Sequence, residues 1–487
     1  MIRISPMRWA GAAAWLALAA ACAVGPDYHR PKFDTAAGYK EAADWKPSEP
    51  NDVLNRGPWW EIFKDDALNQ LEVRIDISNE NVKAAAAAYD QARALVSQAR
   101  AGFWPTITGN ASHLKSGSGA KATTTTINSG GSGVPISTTS RSPITDSAGL
   151  SASWDLDIWG KIRRTTESDR ASAQSTAAAL AAARLSAQAE LATDYFELRA
   201  QDQLQKLLDD TVVAEQLSLK ITESRYNFGV AARADVVSAE AQLLSSQAQQ
   251  INAKIQRGVL EHAIAVLIGE QPANFSLTPS AMRTDVPTVP AGIPSTLLER
   301  RPDVAEAERK VAAANAQIGV AKAAYYPDLT LSGSDDYTSN TFSHLISAPN
   351  RVWSFGPQLV ETLFDGGLRR AQVAQARAAY EGTVDMYRQT VLAGFQQVED
   401  EIVTLRVLEQ QAVIEEAAVA AAREAEKLTL NQYKAGTVPY SSVISAQTAR
   451  LAAEQTALSV LSTRLQASVA LVEAVGGGWN ASQLPLP

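Results

Sequence analysis

Between Gly160 and Gly229 the chain contains neither proline nor glycine. The interval is rich in Ala, Gln, Leu and Glu, which lose little conformational freedom on entering a helix. Nothing in it stops a helix, so it predicts one continuous helix of about 100 Å at a rise of 1.5 Å per residue. A second interval, from Leu368 to Lys434, holds Gly382 and Gly394 but no proline, and predicts a helix of similar length. Globular helices seldom exceed about 20 residues, so two this long require lateral packing of a coiled-coil kind. Each is followed by a Gly-bearing turn and a return helix, expected over 234–268 and 441–475. The many alanines allow neighbouring backbones to approach closely.

Composition removes several function classes. The 487 residues are 46% hydrophobic and 20% charged. That is too apolar for a disordered chain and too charged for a polytopic helical membrane protein. A formal charge of −8 gives no electrostatic basis for binding nucleic acid. The single cysteine, Cys22, excludes an intramolecular disulfide framework and a Cys-cluster metal site. His29, His113, His262 and His344 are scattered without ligand spacing. There is no Gly-x-Ser-x-Gly elbow, and the Gly-Ser-Gly triplets at 117–119 and 131–133 lack the strand and helix that frame a phosphate loop. No enzyme, no metal and no cofactor are predicted. Glu399-Asp400-Glu401 reads as a solvated helix face, with a cation site as the alternative.

The N-terminus reads as an export signal. Arg3 and Arg8 precede an apolar run over 9–21 that is too short to span a bilayer. It ends in Ala19-Ala20-Ala21 before Cys22, a pattern similar to a bacterial lipobox, although Leu18 stands one place early. On that reading 1–21 is removed, and Cys22 carries a covalent lipid as the first mature residue. Ala23 in place of an aspartate favours the outer membrane.

The chain is duplicated. Gly102-Phe103-Trp104-Pro105 echoes Ala324-Tyr325-Tyr326-Pro327 at an offset of 222 residues. Gly160-Lys161-Ile162-Arg163-Arg164 echoes Gly366-Gly367-Leu368-Arg369-Arg370 at 206. Tyr226-Asn227-Phe228-Gly229 and Val236-Val237-Ser238-Ala239 echo Tyr433-Lys434-Ala435-Gly436 and Val443-Ile444-Ser445-Ala446 at 207. The falling offset places extra residues in the first half, where a Ser/Thr/Gly tract over 116–140 reads as a long mobile loop. Each half is expected to hold a first helix (61–102 and 301–325), two strands, a long helix and a return helix.

The strands alternate with period two. Leu150, Ala152, Trp154, Leu156 and Ile158 oppose Ser151, Ser153, Asp155 and Asp157. Leu329 and Leu331 oppose Thr330 and Ser332, and Trp353 and Phe355 oppose Ser354 and Gly356, with Pro357 demanding an edge or a bulge. Thr106 and Thr108 alternate with Ile107 and Gly109 more weakly. Such strands fit either a membrane barrel or a half-buried soluble sheet. Four strands per chain cannot close a barrel alone, because the smallest membrane barrels use about eight. A membrane reading therefore requires chains to pool their strands.

Taken together, several blocks resemble the outer-membrane efflux lipoproteins of the TolC type, NodT subgroup. They are Val24-Gly25-Pro26-Asp27-Tyr28, Pro58-Trp59-Trp60-Glu61-Ile62-Phe63 with Asp65 and Leu68, Glu299-Arg300-Arg301-Pro302-Asp303-Val304, Phe364-Asp365-Gly366-Gly367 and Tyr433-Lys434-Ala435-Gly436. The resemblance implies an α+β fold and a homotrimer. Its twelve-stranded outer-membrane barrel, four strands per chain, continues as a periplasmic helical barrel with a mixed equatorial domain. The implied divisions are a signal peptide (1–21), a lipidated extended segment (22–60), a first repeat (61–270), an equatorial linker (271–300), a second repeat (301–475) and a tail (476–487). The implied partners are a periplasmic adaptor and an inner-membrane efflux transporter, and the implied function is passive passage of drugs or other small toxic compounds out of the cell. A protein-export duct of the same fold, and a structural lipoprotein without a pore, are the alternatives. The resemblance also places a gate at the helix tips, around Tyr440, Ser441, Ser445 and Asp235. Ser445 stands where relatives often carry an aspartate, so a ring of hydroxyls and Tyr440 rings is the expectation here, with Asp235 as the available charge or a helix-capping residue. Adaptor contact is expected at Arg225, Tyr226, Gly229, Arg233, Tyr433 and Gly436.

Overall fold

The computed structural model describes residues 23–33, 36, 38–42, 58–116, 144–289 and 299–485, with the backbone of two short strands at 125–127 and 134–136. Cys22 and the 1–21 segment lie outside the described residues. In chain order the elements are helices α1 (Asp66–Ser78) and α2 (Glu80–Ala101), strands β1 (Thr106–Lys115), β2 (Thr125–Ile127), β3 (Val134–Ile136) and β4 (Ile144–Asp155), then helices α3 (Lys161–Asn227) and α4 (Arg233–Leu267). The second half supplies α5 (Pro302–Ala323), β5 (Asp328–Ser339), β6 (Arg351–Val360), α6 (Leu368–Lys434) and α7 (Tyr440–Ala474).

The duplication is most regular in the helices. α3 and α6 are both 67 residues long, and α4 and α7 both 35. All four bounds are displaced by the same 207 residues. Their ends explain the regularity. Gly229 and Gly436 adopt φ of +73° and +79°, and Gly269 and Gly476 φ of +67° and +97°. Gly229 N–H donates to Tyr226 O and Val230 N–H to Arg225 O, at 2.8 and 2.9 Å. Gly436 and Thr437 do the same to Tyr433 O and Gln432 O at 2.9 and 3.0 Å. This paired bonding of the last carbonyls needs a left-handed residue that only glycine adopts without strain.

Several expectations are corrected. The first helix is not continuous over 61–102. A short helical turn, Trp59–Phe63, precedes α1, and Asn79 separates α1 from α2. Asn79 is extended, its amide donates to Leu267 O at 2.7 Å, and its Oδ1 accepts from Val82 N–H at 3.0 Å. The side chain thus competes with the helix for backbone partners. β4 begins at Ile144, six residues earlier than the alternation suggests, and ends at Asp155, so Leu156 and Ile158 belong to the junction. There Leu156 N–H donates to Leu329 O and Ile158 N–H turns back to Leu156 O. Within the tract read as a loop, β2 pairs antiparallel with β3, Thr125 opposite Ile136. Both strands carry β-branched residues, which suit a pleated backbone. Residues 290–298 of the linker lie outside the described residues.

The compact units do not follow the repeats. One comprises 1–29, 93–171 and 312–381, and the other 30–92, 172–311 and 382–487. Each draws on both halves, because two strands or two helices of one repeat cannot bury a core alone. The second unit holds the main core. Trp59, Phe63, Leu68 and Ile75 pack in one buried cluster with Leu191, Phe196, Ile264, Val398, Ile402 and Val472. Phe63 and Phe196 rings lie 4.9 Å apart. Asp65 caps α1 by accepting from Ala67 and Leu68 N–H at 3.0 and 3.2 Å, and accepts from Tyr195 Oη at 2.8 Å.

Candidate functional site

In the first unit, β1, β4, β5 and β6 form one antiparallel sheet in that order. The register aligns Thr108, Ser151, Ser334 and Ser354 as a row of hydroxyls across all four strands. Thr108 and Ser151 oxygens lie 2.7 Å apart, and Ser334 and Ser354 oxygens 3.0 Å apart. Ser112 and Ser147 make another such contact at 2.8 Å, and Thr330 Oγ1 donates to Asp155 Oδ1 at 2.9 Å. The opposite face aligns Ile107, Ala152, Gly333 and Phe355, with Leu150, Trp154, Leu331 and Trp353 beside them. Towards the strand ends far from the helices, that face closes with Arg351 bidentate on Asp335 and His113 Nδ1 2.5 Å from Asp146.

Two features decide what such a sheet is for. Its apolar face is bare among the described residues, with Trp353 68% and Phe355 71% exposed, unlike a half-buried soluble sheet. Among the described residues β1 and β6 each pair on one side only, so the sheet has two open edges of ten residues. Pro357, which has no N–H for a ladder, stands on one of these edge strands. An apolar face of this kind suits lipid, where an open edge needs a further strand to pair with.

The family of outer-membrane efflux proteins matches this chain over residues 74–270 and 293–477. The chain belongs to that family. It is 30% identical over 476 residues to nodulation protein T of Rhizobium leguminosarum bv. viciae, covering 96% of this chain and 93% of that protein. It is 28% identical over 462 residues to TtgC of Pseudomonas putida, a probable efflux pump outer membrane protein, covering 94% and 93%. Among solved structures, the outer-membrane channel OprN superposes with a TM-score of 0.83 at 29% identity, covering 94% of this chain and all of that one. The fold class read from the sequence stands. It is α+β and internally duplicated, a four-stranded sheet with long helices, and its function is that of an outer-membrane efflux channel.

In this efflux-family chain the helix tips form a second ordered region. Arg225, Tyr433 and Tyr440 come together. The Arg225 guanidinium lies 4.8 Å from the Tyr433 ring centre and donates to Lys434 O at 2.7 Å. Tyr433 meets Tyr440 edge-on at 5.1 Å and donates to Thr222 Oγ1 at 3.4 Å. Tyr440 is 1% exposed, packed with Ala239, Tyr433 and Val443. This corrects the expected ring of Tyr440 side chains in the gate: the residue is core, and its apolar ring gains more from packing than from water. Burial, then Glu215, pushes its hydroxyl up to about 12. Ser441 and Ser445 are exposed one turn apart, with Ser445 Oγ donating to Ser441 O at 3.0 Å. Asp235 is half-buried in the first turn of α4 and makes no cap bond with its side chain among the described residues. Tyr226 and Arg233 pair separately at 5.9 Å, and Gly229 and Gly436 lie at the exposed turns. Sequence reasoning passed over Phe228, Val230 and Thr222. Phe228 was legible as an apolar residue beside a helix-ending glycine, whereas Thr222 carried no signal.

The segment after Cys22 is seated in the first unit. Val24 N–H donates to Trp159 O at 3.0 Å, and Arg164 donates to Asp27 at 3.0 Å. Gly25, at φ +116°, leaves no room for a Cβ, which would lie 2.5 Å from Gly319 Cα. In the second unit Glu399 is not solvated as expected. It accepts from Lys40 and Glu41 N–H at 2.7 and 3.0 Å, holding the N-terminal segment on α6. Glu401 lines a cleft of about 400 Å³ with Arg301, Asp303 and Glu473. Burial raises the carboxyls of Glu401 and Glu473 above the usual range.

Proposed function

We propose that three copies pool their sheets in the outer membrane, that Cys22 carries a covalent lipid, and that the conduit completes a tripartite system with a periplasmic adaptor and an inner-membrane transporter. Drugs or other small toxic compounds pass through it, driven by the transporter, and the chain itself catalyses nothing. The observation that carries the reading is the bare four-stranded sheet with two open edges. In a bilayer each unpaired backbone group would cost several kcal/mol, and only neighbouring chains can supply the missing strands. A second support is the exposed apolar series on α4 at Val237, Leu244 and Ile251, seven residues apart, continued by Ile255, Val259 and Val266. That spacing fits a lateral helix partner. The attachment of Val24 to Trp159, just past β4, supports a lipid on Cys22 entering the leaflet nearest the helices.

The native mass of the detergent-extracted protein tests the assembly. A trimer with one acyl modification set per chain is expected, and a stable monomer would overturn the pooled barrel. The gate is assigned to the exposed Ser441 and Ser445, supported from behind by the Tyr433–Tyr440 pair, with Asp235 contributing charge. Adaptor contact is assigned to the tips bearing Arg225, Tyr226, Gly229, Arg233, Tyr433 and Gly436, with Phe228 and Val230 exposed beside them. In planar bilayers, Tyr440→Ala is expected to raise the closed-state current by loosening the tip, and the Ser441→Asp, Ser445→Asp pair to alter its cation preference. Unchanged currents in both would remove the gate from this position.

A further inference from the structure

We propose that the rim where the strands meet the helices is a binding surface for anionic phospholipid headgroups. The proposal rests on the reading of the strands as membrane-spanning. Three of the four junctions of the first unit repeat one arrangement, an exposed aromatic or apolar residue beside a cation. Trp104 is 75% exposed and follows Arg100 by four residues. Tyr325 and Tyr326 are exposed and follow Lys322. Leu363 and Phe364 are 92% and 88% exposed and precede Arg370. At the fourth, the half-buried Trp159 stacks on Tyr326 at 4.7 Å and precedes Lys161, which faces Asp328. Amphipathic rings settle at the bilayer interface, and cations one turn further on meet the headgroups.

Four of the acids at the same rim face a cation, and the three unpaired cations outnumber the one acid, Asp155, that faces only a hydroxyl. Asp157 is bonded by Arg163 at 3.2 Å, and Asp365 and Glu361 by Arg369 at 2.7 and 3.2 Å. Asp155 accepts from Thr330, and Asp328 lies 4.0 Å from Lys161. The side chains of Arg100, Lys322 and Arg370 have no hydrogen-bond or ion-pair partner among the described residues. Arg100 and Lys322 also stand in the last turns of α2 and α5, where a cation favours the helix dipole. Arg370 stands at the start of α6, where the dipole disfavours it, so helix electrostatics do not account for the set.

The test is lipid retention by the purified full-length protein, read by native mass spectrometry after titration with phosphatidylglycerol or phosphatidylcholine. Phosphatidylglycerol is expected to bind at least tenfold more tightly, with the preference shrinking as salt rises. Each interfacial cation is worth about fivefold, so Arg100→Glu, Lys322→Glu and Arg370→Glu together should remove a preference of up to about 100-fold. Oligomer mass and helical circular dichroism report that the variant is folded, and Arg100→Lys with Arg370→Lys should retain the preference. Equal retention of the two lipids, or an unchanged preference in the folded triple Glu variant, would overturn the proposal while leaving the channel intact. A protein that enters neither vesicle type on reconstitution would overturn the membrane reading together with it.

Discussion

Replacing Glu72 by Leu is expected to stabilise the protein by about 3 kcal/mol at pH 7 and to flatten its pH dependence. Glu72 is completely buried on α1, and neither carboxylate oxygen has a hydrogen-bond partner among the described residues. Burial, reinforced by Asp76, raises its carboxyl from 4.5 to about 9. The folded protein therefore keeps a proton that the unfolded chain releases above about pH 4.5. Stability from this group is fully present below that pH, falls by about 1.4 kcal/mol per unit, and is lost as pH rises through about 9. Thermal midpoints between pH 5 and 9 are the measurement. Glu72→Leu should rise above the native protein increasingly with pH. Glu72→Gln should share the flat profile but gain less, because an unpaired amide remains buried. A native slope retained in both variants would show that Glu72 is paired and ionised in the folded protein.

Asp202→Ala is expected to act in the opposite direction, at a cost of about 3–5 kcal/mol. Asp202 accepts from Arg199 Nη1 at 2.9 Å, Arg257 Nε at 2.7 Å and Ser280 N–H at 3.1 Å. Arg199 also donates to Thr278 O at 2.8 Å and Arg257 to Leu277 O at 2.5 Å, while Glu261 accepts from Leu277 N–H at 2.6 Å. This network is the clamp that fixes the linker against α3 and α4. Side chains of Asp202 and Arg199 are 3% and 6% exposed, so removing the acid strands buried positive charge. Limited proteolysis should then cut within 275–285, where the native protein resists. Adding Arg257→Ala should recover part of the lost stability, since it removes one of the two stranded cations. Strictly additive losses would show that the three side chains do not act as one network.

The four long helices were legible because their determinants are local. Long stretches without proline and with few glycines set their lengths, and the glycines at 229, 269, 436 and 476 end them through a left-handed turn that other residues resist. Alternation at Leu150, Ala152 and Trp154 revealed a two-faced strand, since its period follows from the pleat. The blocks around Trp59, Arg301 and Gly436 carried the family. The ends of β4 were not legible, because pairing with β1 and β5 decides them and the hydrophobic pattern runs on to Ile158.

Individual roles depended on neighbours distant in sequence. Tyr440 read as a gate side chain until Tyr433, Ala239 and Val443 enclosed it. Glu399 read as solvated until the N–H groups of Lys40 and Glu41 occupied its carboxylate. Glu72 gave no sign of burial, standing between Leu71 and Val73 in a helix of modest amphipathicity. Sequence alone determined the helices, the duplication and the two-faced strands, because each follows from backbone freedom and short-range periodicity. Tertiary structure alone decided which polar groups are buried, paired or left facing the membrane, because those depend on contacts among segments hundreds of residues apart.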